Sequence, residues 1–355
     1  MARKTSHRRK RSSLSHWGGL RLMLRPTGPL LVLGPAWAFV AGALASGGIG
    51  PNVHTLLVLV LGLLLVDPWL GFIWTTLLET EWSSLAGDYP RGQPSATLPR
   101  PPYTTAGSPS QRLWGWLERR LVWWRNRFWP KAGPESVSLV VACLFALALA
   151  AILGFDVAIL VTVALVLVAV RVVPAGRGTG QHQLLHASFQ IGLAWLVGYM
   201  AFDSGFSGSL RQFWTEHRWS ILLVWLGEHG PSLVLAGLYS LALYACMILS
   251  DEHLPVGGTN PRDGEESFPT DQGVATGGAS QSGHGIAILN LVQLGVVGLL
   301  LLSKQPIFAG LIGLCLLPQV LFQPFVREGW QVSTYLGHIQ PFLIASILLA
   351  AFAVS

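Results

Sequence analysis

The strongest constraint on this chain is its succession of long apolar blocks. The stretch LLVLVLGLLLVDPWLGFIWTT (56–76) carries a single charge, too little for the face of a soluble domain. A helix needs about 20 apolar residues to cross the hydrocarbon core, and inside lipid only a helix or a closed barrel satisfies every backbone amide. Nine blocks fit that requirement, at about 28–46, 55–78, 136–154, 156–173, 184–203, 231–250, 285–303, 306–323 and 338–354. The expected fold is therefore all-α, a multi-pass transmembrane helical bundle of about nine spans. Composition agrees, with 51% hydrophobic and 11% charged residues. The apolar piece WSILLVWLG (219–227) is either the start of a long sixth helix broken at Gly230-Pro231 or a segment lying in the interface.

Charge placement gives the expected orientation. Residues 1–27 form a basic arm with eight Lys/Arg and no acid. Without an apolar h-region of its own or a small-residue cleavage site, the arm reads as retained rather than as a signal peptide. With the N-terminus inside, the cytoplasmic segments collect twenty of the 23 Lys/Arg. The other side has only Arg211, Arg218 and Lys304. The positive-inside rule then predicts N-terminus in and C-terminus out, in a cytoplasmic or photosynthetic membrane. The net charge of +6 is thus a membrane signature, and no nucleic-acid partner is expected. Cys143, Cys246 and Cys315 lie inside apolar segments without metal-ligand spacing, as small core residues do.

The bundle, 28–354, carries two long cytoplasmic connections. The first, 79–135, contains QRLWGWLERRLVWWRNRFWPK, where Trp and Leu alternate with Arg. It predicts an amphipathic helix over 108–130 on an anionic membrane surface. The second, 251–284, is rich in Gly, Ser and Pro and is acidic, as a mobile loop or a lid is.

Acids at the inner membrane edge are few. Glu79 and Glu81 follow the second span and Asp251 ends the sixth. Two such groups facing each other suit Mg²⁺ and a diphosphate, because hard Mg²⁺ takes carboxylate and phosphate oxygens. The alternative is that they are solvated helix ends. Asp67 lies well inside the second span, so it faces a cavity or is a protonated, hydrogen-bonded structural acid. Pro68 removes a backbone donor beside it and predicts a kink. His182 and His186 are one helical turn apart and read as polar cavity or interface residues.

Five stretches in order resemble the UbiA superfamily of membrane prenyltransferases, nearest in appearance to chlorophyll and bacteriochlorophyll synthases. LRPTGPLLVLGPAWAFVAGALASGG (24–48) resembles their first helix and IGLAW (191–195) their fifth. LYSLALYACMILSDE (238–252) is similar to the sixth and ILNLVQLGVVGLL (288–300) to the seventh. LLPQVLFQPFVREGWQVSTYLGHIQPFL (316–343) is similar to the eighth and ninth. The resemblance implies Mg²⁺-dependent transfer of a prenyl chain from its diphosphate to a tetrapyrrole propionate. It implies Glu79, Glu81 and Asp251 as catalytic and metal-holding residues. Asp67, Arg91, Arg100, His182, His186 and Tyr239 are the candidate substrate-binding residues.

The sequence departs from the family at its Asp-rich motifs. The family's Asn-Asp-x-x-Asp is Leu78-Glu79-Thr80-Glu81-Trp82 here, and at the second motif Ser250 stands for Asn and Gly258 for an Asp. A second reading is therefore a catalytically silent relative that binds chlorophyll, carotenoid or prenyl lipid. Such a relative would be a subunit or assembly factor of a photosynthetic membrane complex, or more simply a pigment or lipid carrier.

Overall fold

The computed structural model describes residues 33–79, 108–125, 129–175, 180–203, 219–251, 278–327 and 332–355. Within them the chain is helical and no strand occurs. In chain order the helices are α1 (Pro35–Ala45), α2 (Val53–Leu64), α3 (Leu70–Glu79), α4 (Pro109–Trp123), α5 (Trp129–Leu153) and α6 (Phe155–Ala175). They continue with α7 (Gly180–Ala187), α8 (Ala194–Phe202), α9 (Trp219–Asp251), α10 (Gly278–Leu302), α11 (Pro306–Arg327) and α12 (Val332–Val354). Among the described residues, seven stretches of 20 to 25 residues are long and apolar enough to cross a bilayer. They are Val53–Leu77, Gly133–Leu153, Gln183–Phe202, His229–Ser250, Gly283–Leu302, Pro306–Val326 and Val332–Val354, the mark of an integral membrane protein. Two shorter apolar helices, Pro35–Ala45 and Phe155–Val170, coincide with the other two expected spans.

Local chemistry sets the helix ends. Pro35 opens α1 at a position where a missing N–H costs nothing. Asn52 caps α2 by accepting the Thr55 N–H at 2.6 Å, and Ser108 caps α4 by accepting that of Gln111 at 3.2 Å. Gly154, at φ 156°, makes the abrupt turn from α5 to α6 that a residue with a Cβ resists. The α10–α11 turn is different, because Lys304 itself takes the left-handed conformation at φ 61°. Gln305 N–H closes it onto the Leu300 carbonyl and Lys304 N–H onto that of Leu301. This is a Schellman ending with lysine where glycine is usual.

The predicted kink at Pro68 takes a specific form. α2 and α3 are joined without a break through a π-helical turn, Leu65–Trp69. Proline cannot donate to the carbonyl one turn back, so the ladder slips there by one residue. A second π-turn, Ser188–Leu193, joins α7 to α8 without a proline. α9 runs through Pro231 as one helix, so WSILLVWLG is its first part rather than a separate interfacial piece.

The chain forms two compact units, one containing α4 and the start of α5 to Val141, the other the remaining helices. In the smaller unit, α4 occupies much of the segment expected to be amphipathic. In the larger, α1 is the inner helix, packed against α8, α9 and α12. Its Ala38, Phe39, Ala41 and Ala43 are fully buried. A Cβ on Gly42 would strike the Trp195 carbonyl, and one on Gly198 the Phe39 carbonyl. The backbones of α1 and α8 therefore touch, the close approach that small residues permit between membrane helices.

Candidate functional site

Two of the acids expected to hold Mg²⁺, Glu79 and Asp251, follow closely on the spans Val53–Leu77 and His229–Ser250. Glu79 is the last described residue of α3 and Asp251 the last of α9. Their side chains, with Glu81, Arg91 and Arg100, lie outside the described residues. His182 belongs to α7, but its side chain does too. Among the described residues no three His, Cys, Asp or Glu side chains gather as a metal site. The predicted site residues whose side chains are described are Asp67, His186 and Tyr239.

Asp67 lies in the first π-turn and is half-buried. Next to it Trp69 stacks on Phe145, with ring centroids 5.0 Å apart. One turn beyond, Trp74 is 1% exposed and packs between Phe189 at 5.1 Å and His186 at 5.0 Å. Three aromatic rings from α3, α7 and the second π-turn thus form one cluster. The buried Trp74 Nε1 and His186 Nε2 have no partner of hydrogen-bonding geometry. An indole N–H only donates, so an acceptor oxygen or an internal water is what satisfies Trp74.

Tyr239 is fully buried and heads a polar chain through the bundle. Its Oη is 2.7 Å from Ser346 Oγ, and Ser346 donates to Gln293 Oε1 at 2.9 Å. The Ser346 proton is thereby committed to Gln293, so Tyr239 must be the donor to Ser346. The chain ties α9, α12 and α10 together. Tyr239 also stacks on Trp195 of α8 at 6.3 Å, and Trp195 Nε1 donates to Ser232 at 2.9 Å. A second carboxamide group lies between α10 and α11, where Asn290 Oδ1 accepts from Gln319 at 2.7 Å and Gln323 at 2.9 Å. Tyr335 of α12 donates to the Gln319 carbonyl at 3.3 Å.

A third group lies near the far end of the same helices, where α8 stops and the His229–Ser250 span begins. Tyr199 Oη is 2.6 Å from His229 Nδ1, and Asp203 Oδ2 is 3.8 Å from the same nitrogen. Sequence reading singled out none of Trp74, Phe189, Ser346, Gln293, Asn290, Tyr199 or His229. The available signal was the recurrence of Gln, Asn, Ser and His inside apolar blocks, where lipid makes an unsatisfied polar group expensive. That signal marks the residues but not their partners. Tyr239 and Ser346 are 107 positions apart.

No protein-family model, curated protein or solved structure matches the chain.

Proposed function

We propose that the protein is a UbiA-type membrane prenyltransferase with nine spans, N-terminus inside and C-terminus outside. On this reading it transfers an isoprenoid chain from its diphosphate to a tetrapyrrole propionate. The observation that carries the reading is the place of two acids in α3 and α9: Glu79 lies two residues past the span Val53–Leu77, and Asp251 directly follows the span His229–Ser250. These are the two helices whose ends hold the diphosphate in the family that the sequence resembles. Carboxylate oxygens are a fitting donor set for Mg²⁺, which polarises the departing diphosphate when bound. Glu79, Glu81 and Asp251 would hold the ion, and Arg91 and Arg100 would hold phosphate oxygens. The prenyl chain would lie among apolar side chains of the bundle, where it avoids water. The tetrapyrrole carboxylate then attacks the allylic carbon.

The replacement of motif positions by Leu78, Trp82, Ser250 and Gly258 favours a second reading. In it the bundle binds a pigment or prenyl lipid without turning it over, as a component of a photosynthetic membrane complex.

One assay separates the two: Mg²⁺-dependent transfer of a labelled prenyl diphosphate to a chlorophyllide, with extraction of whatever copurifies in mild detergent. Turnover that Glu79→Ala and Asp251→Ala abolish, with the fold intact, is expected of the transferase. Absence of turnover with pigment or prenyl lipid still bound moves the conclusion to the silent relative. Absence of both overturns the two together.

A further inference from the structure

We propose that α4 is a docking element for an anionic phospholipid surface, with an apolar stripe that enters the interface and arginines that take lipid phosphates. The proposal stands apart from the transferase reading, because it uses only the smaller unit.

Leu113, Leu117, Leu121 and Trp124 follow one another at intervals of four, four and three residues. That spacing puts them in one stripe along a helix. They are 67%, 38%, 45% and 46% exposed, and α4 has no buried residue at all. In water such a stripe costs free energy, so it has an occupant.

The charges beside it say which. By helical position Arg120 borders one edge of the stripe and Arg125 the other, with Arg112 and Arg119 further round. From Pro109 to Arg125 the chain holds four arginines and one glutamate. All four arginines are exposed. Arg120 lies over the Trp116 ring, 4.7 Å from its centroid. This cation–π contact holds the guanidinium along the helix while its N–H edge stays available to a phosphate.

Position along the chain completes the case. Trp124 packs on Trp129 with centroids 4.9 Å apart. Trp129 precedes Gly133, where a membrane span begins, by four residues, or about 6 Å of helix rise. The end of α4 is therefore held beside the residues that lead into that span, where headgroups lie and Trp is enriched. Exposed apolar side chains, basic edges and enforced proximity to headgroups select the bilayer over a protein partner or a second copy.

The test uses the full-length protein in nanodiscs of phosphatidylcholine alone or mixed with phosphatidylglycerol. Hydrogen exchange is followed in the peptide covering 109–125. Slower exchange in the anionic discs, reversed by high salt, is expected. The exposed triple variant Arg112→Gln/Arg119→Gln/Arg120→Gln should lose that difference while exchange in α9–α12 stays as in wild type. Each arginine near an anionic surface is worth about fivefold in affinity, so the three together remove roughly a hundredfold. Equal exchange in both lipids overturns the proposal. So does protection that follows the number of protein copies per disc, which would assign the stripe to a second copy.

Discussion

α1 and α11 are both apolar helices of the bundle, yet they occupy opposite environments. α1, PAWAFVAGALA, is the inner helix, and Ala41 and Ala43 have no exposed surface. α11 presents Leu314, Leu317, Val320 and Leu321 outwards, with Leu321 65% exposed. In water the leucine-rich helix would be the one to hide. In lipid the hydrocarbon is as apolar as leucine, so hydrophobicity gives a helix no reason to leave it. What draws α1 inward is small size, which lets its backbone reach that of α8 at Gly42 and Gly198. What holds its neighbours in place is hydrogen bonding that lipid cannot replace. Burial in this bundle follows side-chain size and polarity.

Three substitutions test that account. The largest effect is expected at the α1–α8 contact. A methyl on Gly198 meets the Phe39 carbonyl, which as backbone cannot swing aside. Gly198→Ala should cost about 3 kcal/mol, at the upper end of overpacking penalties. Denaturant unfolding in mixed micelles measures it, and a cost near zero would mean that α1 is not held by close backbone approach.

A smaller loss is expected where polarity, not size, is the cement. Tyr239→Phe removes the donor to Ser346 but keeps the ring against Trp195, and should cost about 1 kcal/mol. In a double-mutant cycle with Ser346→Ala, the two losses should add to more than the loss in the double variant. Strict additivity would show that the pair does not interact.

The smallest effect belongs to the outward face of α11. Leu321→Ala exchanges lipid contact for lipid contact and should change stability by less than about 0.5 kcal/mol. A loss of 2 kcal/mol or more, of the kind a packed leucine suffers, would place protein on that face and break the comparison.

How far the sequence reaches depends on the kind of question. The apolar blocks prescribe a helical membrane protein, since continuous apolar runs of this length suit a spanning helix while barrel strands alternate apolar and polar residues. Pro68 marks a disturbance in the second span because a missing N–H is a local fact. Glu79 and Asp251 fall just past two spans for the same sort of reason, as the apolar runs stop there. The candidate site is less legible. Tyr239 and His186 were recognisable as polar groups in apolar surroundings. Their neighbours Ser346 and Trp74 were not, because hydropathy describes one segment and its solvent.

The amino-acid sequence by itself therefore determined the apolar helical blocks, the disturbance at Pro68 and the amphipathic character of α4. Tertiary structure alone decided that α1 lies inside and α11 outside. It also decided that Tyr239 donates across the bundle to Ser346, and that Lys304 accepts a left-handed turn to join α10 to α11. The reason is physical. Helix formation in lipid is enforced residue by residue by the local demand for backbone hydrogen bonds. The choice between protein and lipid neighbours turns on small differences in shape and polarity between segments far apart in the chain.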